Sequence, residues 1–129
     1  MPEFLRLRDR PIPAKLIMIR LGSKTLDDQK LTDRCERSYG RWGFHGFSVF
    51  EVPDGDYREL AHLEPIVAER PKLFQADGPE LLAAGFPLFP TMDHPHWTVV
   101  LAESTVIQFD RVRGLFRGPI DNPVWTKGR

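Results

Sequence analysis

The chain has 129 residues, with 18 basic and 18 acidic side chains, a formal net charge of +0 and a hydrophobic fraction of 41%. This composition predicts one globular domain and argues against a disordered chain. The balanced charge argues against nucleic acid as the main partner, because phosphate neutralisation needs a basic surplus. The single cysteine, Cys35, excludes an internal disulfide.

The N-terminal residues favour a soluble protein. Residues 1–13 are predicted to form an irregular arm with alternating arginine and leucine, and they lack the long apolar region of a secretion signal. No apolar run in the sequence approaches the ~20 residues that a membrane-spanning helix needs. We therefore expect a cytoplasmic protein that does not bind membranes.

A strand and a helix are predicted first along the chain. The apolar run at 15–21, with its β-branched centre, predicts the strand. Apolar residues that recur every four positions predict a helix that begins near Thr25 and ends at Gly40. These recurring residues are Leu31, Cys35 and Tyr39.

The central strand is predicted at 47–52, where both faces carry apolar side chains. Such a strand usually lies inside a sheet that is covered on both sides. A proline-containing turn at 53–55 ends it, and Asp56 then begins a capping box that predicts a short helix with Leu60 and Leu63 facing inward.

The second half of the chain completes the predicted fold. In order, it predicts a strand at 71–76, a short helix from Gly78, an extended edge segment at 86–90, a strand at 97–102, a helix capped by Ser104 or Thr105, and a tail at 119–129. Alternating strands and helices predict an α/β or α+β fold. We expect a mixed sheet of about five strands under three or four short helices, in a single domain that spans 1–129.

Two of the four histidines lie together in the segment 93–96, Asp-His-Pro-His. Imidazole and carboxylate groups are common metal ligands, but no third ligand follows at a diagnostic spacing. We therefore expect no metal and no resident cofactor.

The segment 96–101, HWTVVL, resembles one of the paired motifs of the two-histidine phosphodiesterases. In that family one histidine acts as base and the other as acid, while the hydroxyl residues hold phosphate oxygens. The segment 45–48, HGFS, is the candidate for the second motif. The resemblance implies a small enzyme that acts on a nucleotide or RNA. The candidate catalytic residues of such an enzyme are His45, His96 and Thr98, together with Arg41, which lies with His45 on the glycine-rich entry to the central strand.

A second similarity is to ADP-ribosyltransferases, whose pattern is a basic residue on the first strand, a serine on a later strand and a late glutamate. Arg20, Ser48 and Glu103 follow this order. The resemblance implies that Arg20 binds the phosphates of NAD, that Ser48 orders its strand and that Glu103 holds the ribose. NAD is expected as a cofactor only in this case.

Large aromatic residues near turns suggest a function without catalysis. Tryptophan and phenylalanine are frequent anchors of protein interfaces, although core packing also explains them. The candidate binding residues are Trp42, Phe44, Phe89, Trp97 and Trp125. We therefore predict, as the main function, a small partner-binding protein rather than an enzyme. Its partner would be another protein, as in a toxin–antitoxin-like two-gene module, or a second copy of itself.

Overall fold

The structure is a computed structural model, and it describes residues 16–126. The strands are β1 (Ile17–Leu21), β2 (His45–Val52), β3 (Lys72–Asp77), β4 (Leu88–Pro90), β5 (His96–Leu101) and β6 (Arg117–Asp121). The helices are α1 (Asp28–Trp42), α2 (Tyr57–Leu63), α3 (Gly78–Ala83) and α4 (Val106–Arg113). Two short 3-10 segments, Pro53–Gly55 and Pro65–Glu69, flank α2. The arm expected at 1–13 lies outside the described residues.

One six-stranded sheet has the order β4-β5-β2-β1-β3-β6, and each of its five strand pairs is antiparallel. The expected class, α/β or α+β, is confirmed as α+β, with six strands instead of about five and without parallel pairs. Alternation of strands and helices suggested a mixed sheet, but β2 begins at the end of the sheet where β1 finishes, so the two strands run in opposite directions. The sixth strand is Arg117–Asp121. The tail predicted at 119–129 was wrong over the end of this strand, because the proline at position 119 is tolerated on an edge strand.

Helix α1 is defined by a cap at each end. Asp27 accepts a hydrogen bond from the backbone N–H of Lys30 at 2.8 Å, which satisfies one of the free donors of the first turn. Gly43 ends the helix with a φ of 85° and donates its N–H to the carbonyl of Tyr39. The predicted end at Gly40 was wrong by one turn, because Gly40 stays helical and Gly43 takes the left-handed conformation. In residues 16–126, no helix is long and apolar enough to cross a membrane.

The later elements agree with most of the sequence predictions. Asp56 caps α2 by accepting from two backbone N–H groups, and Thr105 caps α4. The segment Leu88–Pro90 lies at the edge of the sheet as expected. Leu60 is buried, but Leu63 is 39% exposed, since α2 ends at that residue and its last side chain does not reach the core.

Buried apolar side chains form two clusters on opposite faces of the sheet. The larger cluster joins the sheet to α1, α3 and α4 and includes Phe47 and Val99. The smaller cluster lies on the other face and joins Ile19 and Leu73 of the sheet to Leu60 of α2. Ser48, although it lies on the central strand β2, is exposed. On this second face Ser48 is thus accessible, while its cross-strand partner Thr98 is buried.

The C-terminal segment is attached to the 3-10 turn that follows α2. The Asn122 side chain is buried and donates to the carbonyl oxygens of Val67 at 2.7 Å and of Arg70 at 2.8 Å. Trp125, in contrast, is 42% exposed. This part of the chain is held by its backbone and by Asn122 rather than by its tryptophan.

Candidate functional site

Three arginines follow one another along one flank of α1, at positions 34, 37 and 41. Residues three and four apart lie above one another on a helix, so the three side chains form a row. The buried face of the helix consists of Leu31, Cys35 and Ser38. The arginine row runs beside this buried face, next to β2.

The row borders a pocket of about 90 Å³. Its wall comes from α1 and its floor from β2 and β5. Its lining residues are Arg34, Arg37, Ser38, Arg41, Trp42, Gly46, Phe47, Ser48 and Thr98. The lining contains three guanidinium groups and three hydroxyl residues and no carboxylate.

The floor of the pocket depends on a close contact between strands. Ser48 and Thr98 are direct cross-strand partners, so their side chains lie on the same face of the sheet. Two residues before Ser48, a Cβ added to Gly46 would stand 2.3 Å from the carbonyl oxygen of Val99 and 2.7 Å from Thr98 Cγ2. Only glycine fits this position without a shift of the neighbouring strand, so packing requires Gly46.

The charge of the arginine row is not neutralised within the described part of the chain. No acidic side chain in residues 16–126 forms an ion pair with Arg34, Arg37 or Arg41, whereas Arg113 pairs with both Asp28 and Asp110. The Arg41 guanidinium lies over the Trp42 ring, 5.0 Å from its centroid. A guanidinium presents its N–H donors in a planar fork that matches the oxygen atoms of an anion. The pocket is therefore suited to bind an anion.

His96 is connected to this floor through Thr91. The Thr91 hydroxyl lies 2.9 Å from His96 Nδ1 and 2.9 Å from Thr98 Oγ1. His96 Nδ1 also lies 3.1 Å from the Thr91 carbonyl oxygen. Since a carbonyl only accepts, this contact favours the tautomer in which Nδ1 carries the proton and Nε2 does not.

Two effects lower the pKa of His96 and two raise it. Burial is the largest and lowers the pKa below its ordinary value of 6.5, and the positive charge of Arg41 acts in the same direction. The hydrogen bond to the Thr91 carbonyl and the charge of Glu64 act in the opposite direction. The imidazole is therefore neutral at pH 7.

The two histidines of the phosphodiesterase interpretation lie apart. His45 pairs with Leu101, while His96 pairs with Phe50 at the other end of the same strand pair. Five strand residues separate the two levels, roughly 17 Å at ~3.3 Å per residue, and the odd spacing places the side chains on opposite faces. His45 stacks on Tyr39 with ring centroids 4.8 Å apart. The structure therefore does not form a two-histidine cleft, although Arg41 and Thr98 do meet in the pocket.

The three residues of the ADP-ribosyltransferase interpretation are not brought together either. Arg20 lies on the face of β1 that carries the buried Met18, and its guanidinium stands 4.8 Å from the centroid of the Phe74 ring. Burial and the charge of Arg34 lower the pKa of Arg20 to about 10, so it remains a cation at pH 7. Ser48 lies on the opposite face, and Glu103 is exposed beyond the end of β5.

The candidate binding aromatics occupy different parts of the molecule. Trp97 is 8% exposed and donates its indole N–H to Glu51, so it belongs to the core. Phe44 and Phe89 contact each other with ring centroids 4.9 Å apart. Trp42 is 37% exposed and lines the pocket. Trp125 follows β6, at the edge of the sheet far from the pocket.

Arg34, Arg37 and Ser38 were missed by the sequence analysis. Their spacing with Arg41 was visible in the sequence, but exposed cations in the second half of a helix are also explained by the helix dipole. The structure distinguishes these arginines from other exposed cations because Ser48 is exposed beside the row. The position of Ser48 depends on how the strands pair, which the sequence does not show.

In residues 16–126 no group of three or more His, Cys, Asp or Glu side chains could hold a metal ion.

No protein-family model matches the sequence, and searches of the curated proteins and of the solved structures gave no match.

Proposed function

We propose that this domain binds a phosphate-bearing ligand in the pocket between α1 and the β2–β5 pair. The observation that carries the proposal is the row Arg34, Arg37 and Arg41, which has no carboxylate partner in the described residues and lines one pocket together with the exposed Ser48. Hydrogen bonds between arginine and phosphate are short, charge-assisted and frequently bidentate. Phosphate oxygens also accept from the hydroxyl groups of serine and threonine.

The size of the pocket indicates which part of the ligand it would hold. Sites for whole small molecules usually measure ~300–1,000 Å³, whereas this pocket has about 90 Å³. A single phosphate group would enter it, with the remainder of the ligand outside. The proposal does not include catalysis or NAD, because the side-chain hydrogen bonds of His96 reach the pocket through Thr91 and Thr98, and Arg20 is not among the residues that line the pocket.

Titration calorimetry with inorganic phosphate and with adenosine monophosphate tests the proposal. Replacing Arg37, the middle arginine, by alanine removes charged hydrogen bonds worth ~1.5–3 kcal/mol, so we expect affinity to fall by roughly 10- to 150-fold. Arg117→Ala is the matched control, because it removes the same charge from the exposed edge strand β6.

Two results would contradict the proposal. One is the absence of binding of either ligand to the unmodified protein at low salt. The other is an equal loss of affinity in Arg37→Ala and Arg117→Ala, since that would indicate attraction to the net charge rather than a site.

The partner-binding function remains a second proposal. Its support is the exposure of two apolar side chains in the first turn of α4, Val106 at 54% and Ile107 at 73%. Sedimentation velocity over a range of concentrations tests its homodimer form. A mass that stays at 14.9 kDa would leave only a different protein, such as the second component of a toxin–antitoxin-like pair, as the partner.

A further inference from the structure

We infer that the phosphate-bearing ligand is a single-stranded nucleic acid, whose backbone follows α1 and one of whose bases stacks on Trp42. This inference rests on the proposed function and extends it from one phosphate group to a chain of them. Its basis is a basic stripe, defined as Lys30, Arg34, Arg37 and Arg41.

The stripe is longer than a single phosphate requires. At ~100° per residue, positions 30, 34, 37 and 41 lie within a narrow arc of the helix surface. At ~1.5 Å rise per residue the stripe extends over roughly 16 Å. Phosphates in a stacked strand recur every ~3.4 Å, so this length serves about three to five of them. A monophosphate would contact only the part that borders the pocket.

The charges of the stripe are available for such a ligand. Lys30 is exposed, and among the described residues no carboxylate forms an ion pair with any member of the stripe. The nearby acid on the same helix, Asp33, accepts a hydrogen bond from Gln29 at 3.0 Å. Within residues 16–126, the acidic side chains are therefore not in ion pairs with the stripe.

Trp42 adds a contact that a phosphate alone would not use. It lines the pocket at the C-terminal end of α1, remains 37% exposed and carries the Arg41 guanidinium 5.0 Å from its ring centroid. Single-stranded nucleic acids bind to surfaces where aromatic rings stack with bases and cations follow the backbone. In a duplex the bases are already stacked on each other, so a duplex would lose this contact.

The whole-chain charge gave the opposite expectation, that nucleic acid is not the main partner. A formal net charge of +0 is a sum over the chain, whereas a backbone-binding surface needs basic residues only along one face. The stripe supplies this local surplus.

Fluorescence anisotropy with labelled eight-nucleotide strands of RNA and of DNA, and with the corresponding duplex, tests the inference. We expect a single strand to bind at least tenfold more tightly than adenosine monophosphate or inorganic phosphate. The slope of log K against log salt is expected between about −2 and −3.5, from ~0.7 for each of three to five phosphates contacted. Comparing the affinities for the RNA and DNA oligonucleotides shows which of the two nucleic acids is preferred.

Variants separate the backbone contacts from the base contact. Lys30→Ala and Arg37→Ala are each expected to make the salt slope less negative by about 0.7, because each removes one phosphate contact. Trp42→Leu is expected to weaken binding about tenfold without changing the slope, while Trp42→Phe retains most of the affinity because it keeps a stacking ring. Arg117→Ala is the charge-matched control and should behave as the unmodified protein.

The outcomes distinguish this inference from the proposed function. If phosphate or the nucleotide binds but the oligonucleotide binds no more tightly, the inference is wrong and the phosphate site stands. Duplex binding equal to that of the single strand, or an unchanged affinity in Trp42→Leu, also overturns it. If none of the ligands binds, both fail.

Discussion

His96 contacts the pocket floor through Thr91, and its surroundings in the folded chain determine its pKa. Its Nδ1 faces the hydroxyl and the carbonyl of Thr91, and its ring stands edge-on to Phe50 with centroids 5.7 Å apart. The charged groups that act on it are Glu64, which raises its pKa, and Arg41, which lowers it. Burial is the largest effect, and the folded pKa is lower than the ordinary value.

We expect stability to fall as the pH falls through the ordinary histidine value. Because the folded pKa of His96 lies below 6.5, the unfolded chain binds more protons than the folded chain between the two values. The contribution of His96 to the free energy of unfolding is fully present above pH 6.5. It is lost as the pH falls towards the folded pKa, and it changes no further below that pKa. Urea unfolding at pH 7.5 and at pH 5.5 measures this loss.

His96→Gln separates this contribution from that of the carboxylates. We expect the variant to lose less stability than the unmodified protein over the same pH interval. The control is His62→Gln, since His62 is exposed on α2. If His96→Gln leaves the pH dependence unchanged, the buried neutral imidazole is not its source.

The sequence identified part of the site, but for separate reasons. Thr98 was named from the phosphodiesterase resemblance, Ser48 from the ADP-ribosyltransferase resemblance and Arg41 from its place before the central strand. The structure brings these three side chains into one pocket. Which residues meet depends on the register that places Ser48 opposite Thr98, and register is a property of two distant segments that local patterns do not contain.

At the scale of elements, two glycines that lie close together in the chain have opposite roles. Gly46 lies where β2 approaches β5, and a side chain there would collide with the Val99 carbonyl oxygen. Gly40 lies inside α1 with no heavy atom within 4 Å of an added Cβ. The first glycine is required by packing, whereas the second costs helix stability.

We therefore expect opposite effects from the same substitution. Gly46→Ala should lower the free energy of unfolding by about 1–3 kcal/mol, the usual cost of overpacking. Gly40→Ala should raise it by about 0.5–1 kcal/mol, because alanine loses less conformational entropy in a helix. Urea denaturation of both variants checks the pair, and a Gly46→Ala protein as stable as the unmodified one would contradict the strand contact described above.

Elements with strong periodicity were predicted well, and their ends less well. The capping residue Asp56 was found because its side chain acts on its immediate neighbours. The end of α1 was placed at Gly40, since the sequence does not show which of three nearby glycines takes a positive φ. Strand β6 was missed because its glycine and proline are strand-breaking residues except at an edge.

At the scale of the whole molecule, Asn122 joins the C-terminal segment to the body of the domain. Its amide donates to two carbonyl oxygens of the segment after α2, and its Oδ1 accepts from the N–H of Val124 at 3.1 Å. One buried side chain thus satisfies three backbone groups.

Asn122→Ala is expected to destabilise the protein by about 1–3 kcal/mol, because it leaves buried backbone groups without partners. Thr126→Val is the control on the same segment, since its exposed hydroxyl makes one long contact, 3.3 Å, with the carbonyl of Ala68. Thermal unfolding compares the two. Equal midpoints for the two variants would show that the Asn122 contacts do not hold this segment.

The overall architecture was predictable at the level of class, and its strand order was not. Short apolar runs identified most of the strands, but the order β4-β5-β2-β1-β3-β6 places β5 beside β2 and β3 beside β1. Which strands become neighbours depends on how each complete face of the sheet packs against the helices. A face is complete only when all of the strands are present.

This strand order has a consequence for the newly made chain. All members of the basic stripe are synthesised early, within α1, while β5 follows only after α2, β3, α3 and β4 have been made. Because the chain emerges from its N-terminus during synthesis, the arginines of α1 are made well before Thr98, which lines the same pocket. A nascent chain that ends before β5 therefore carries the basic stripe without the complete lining of the pocket.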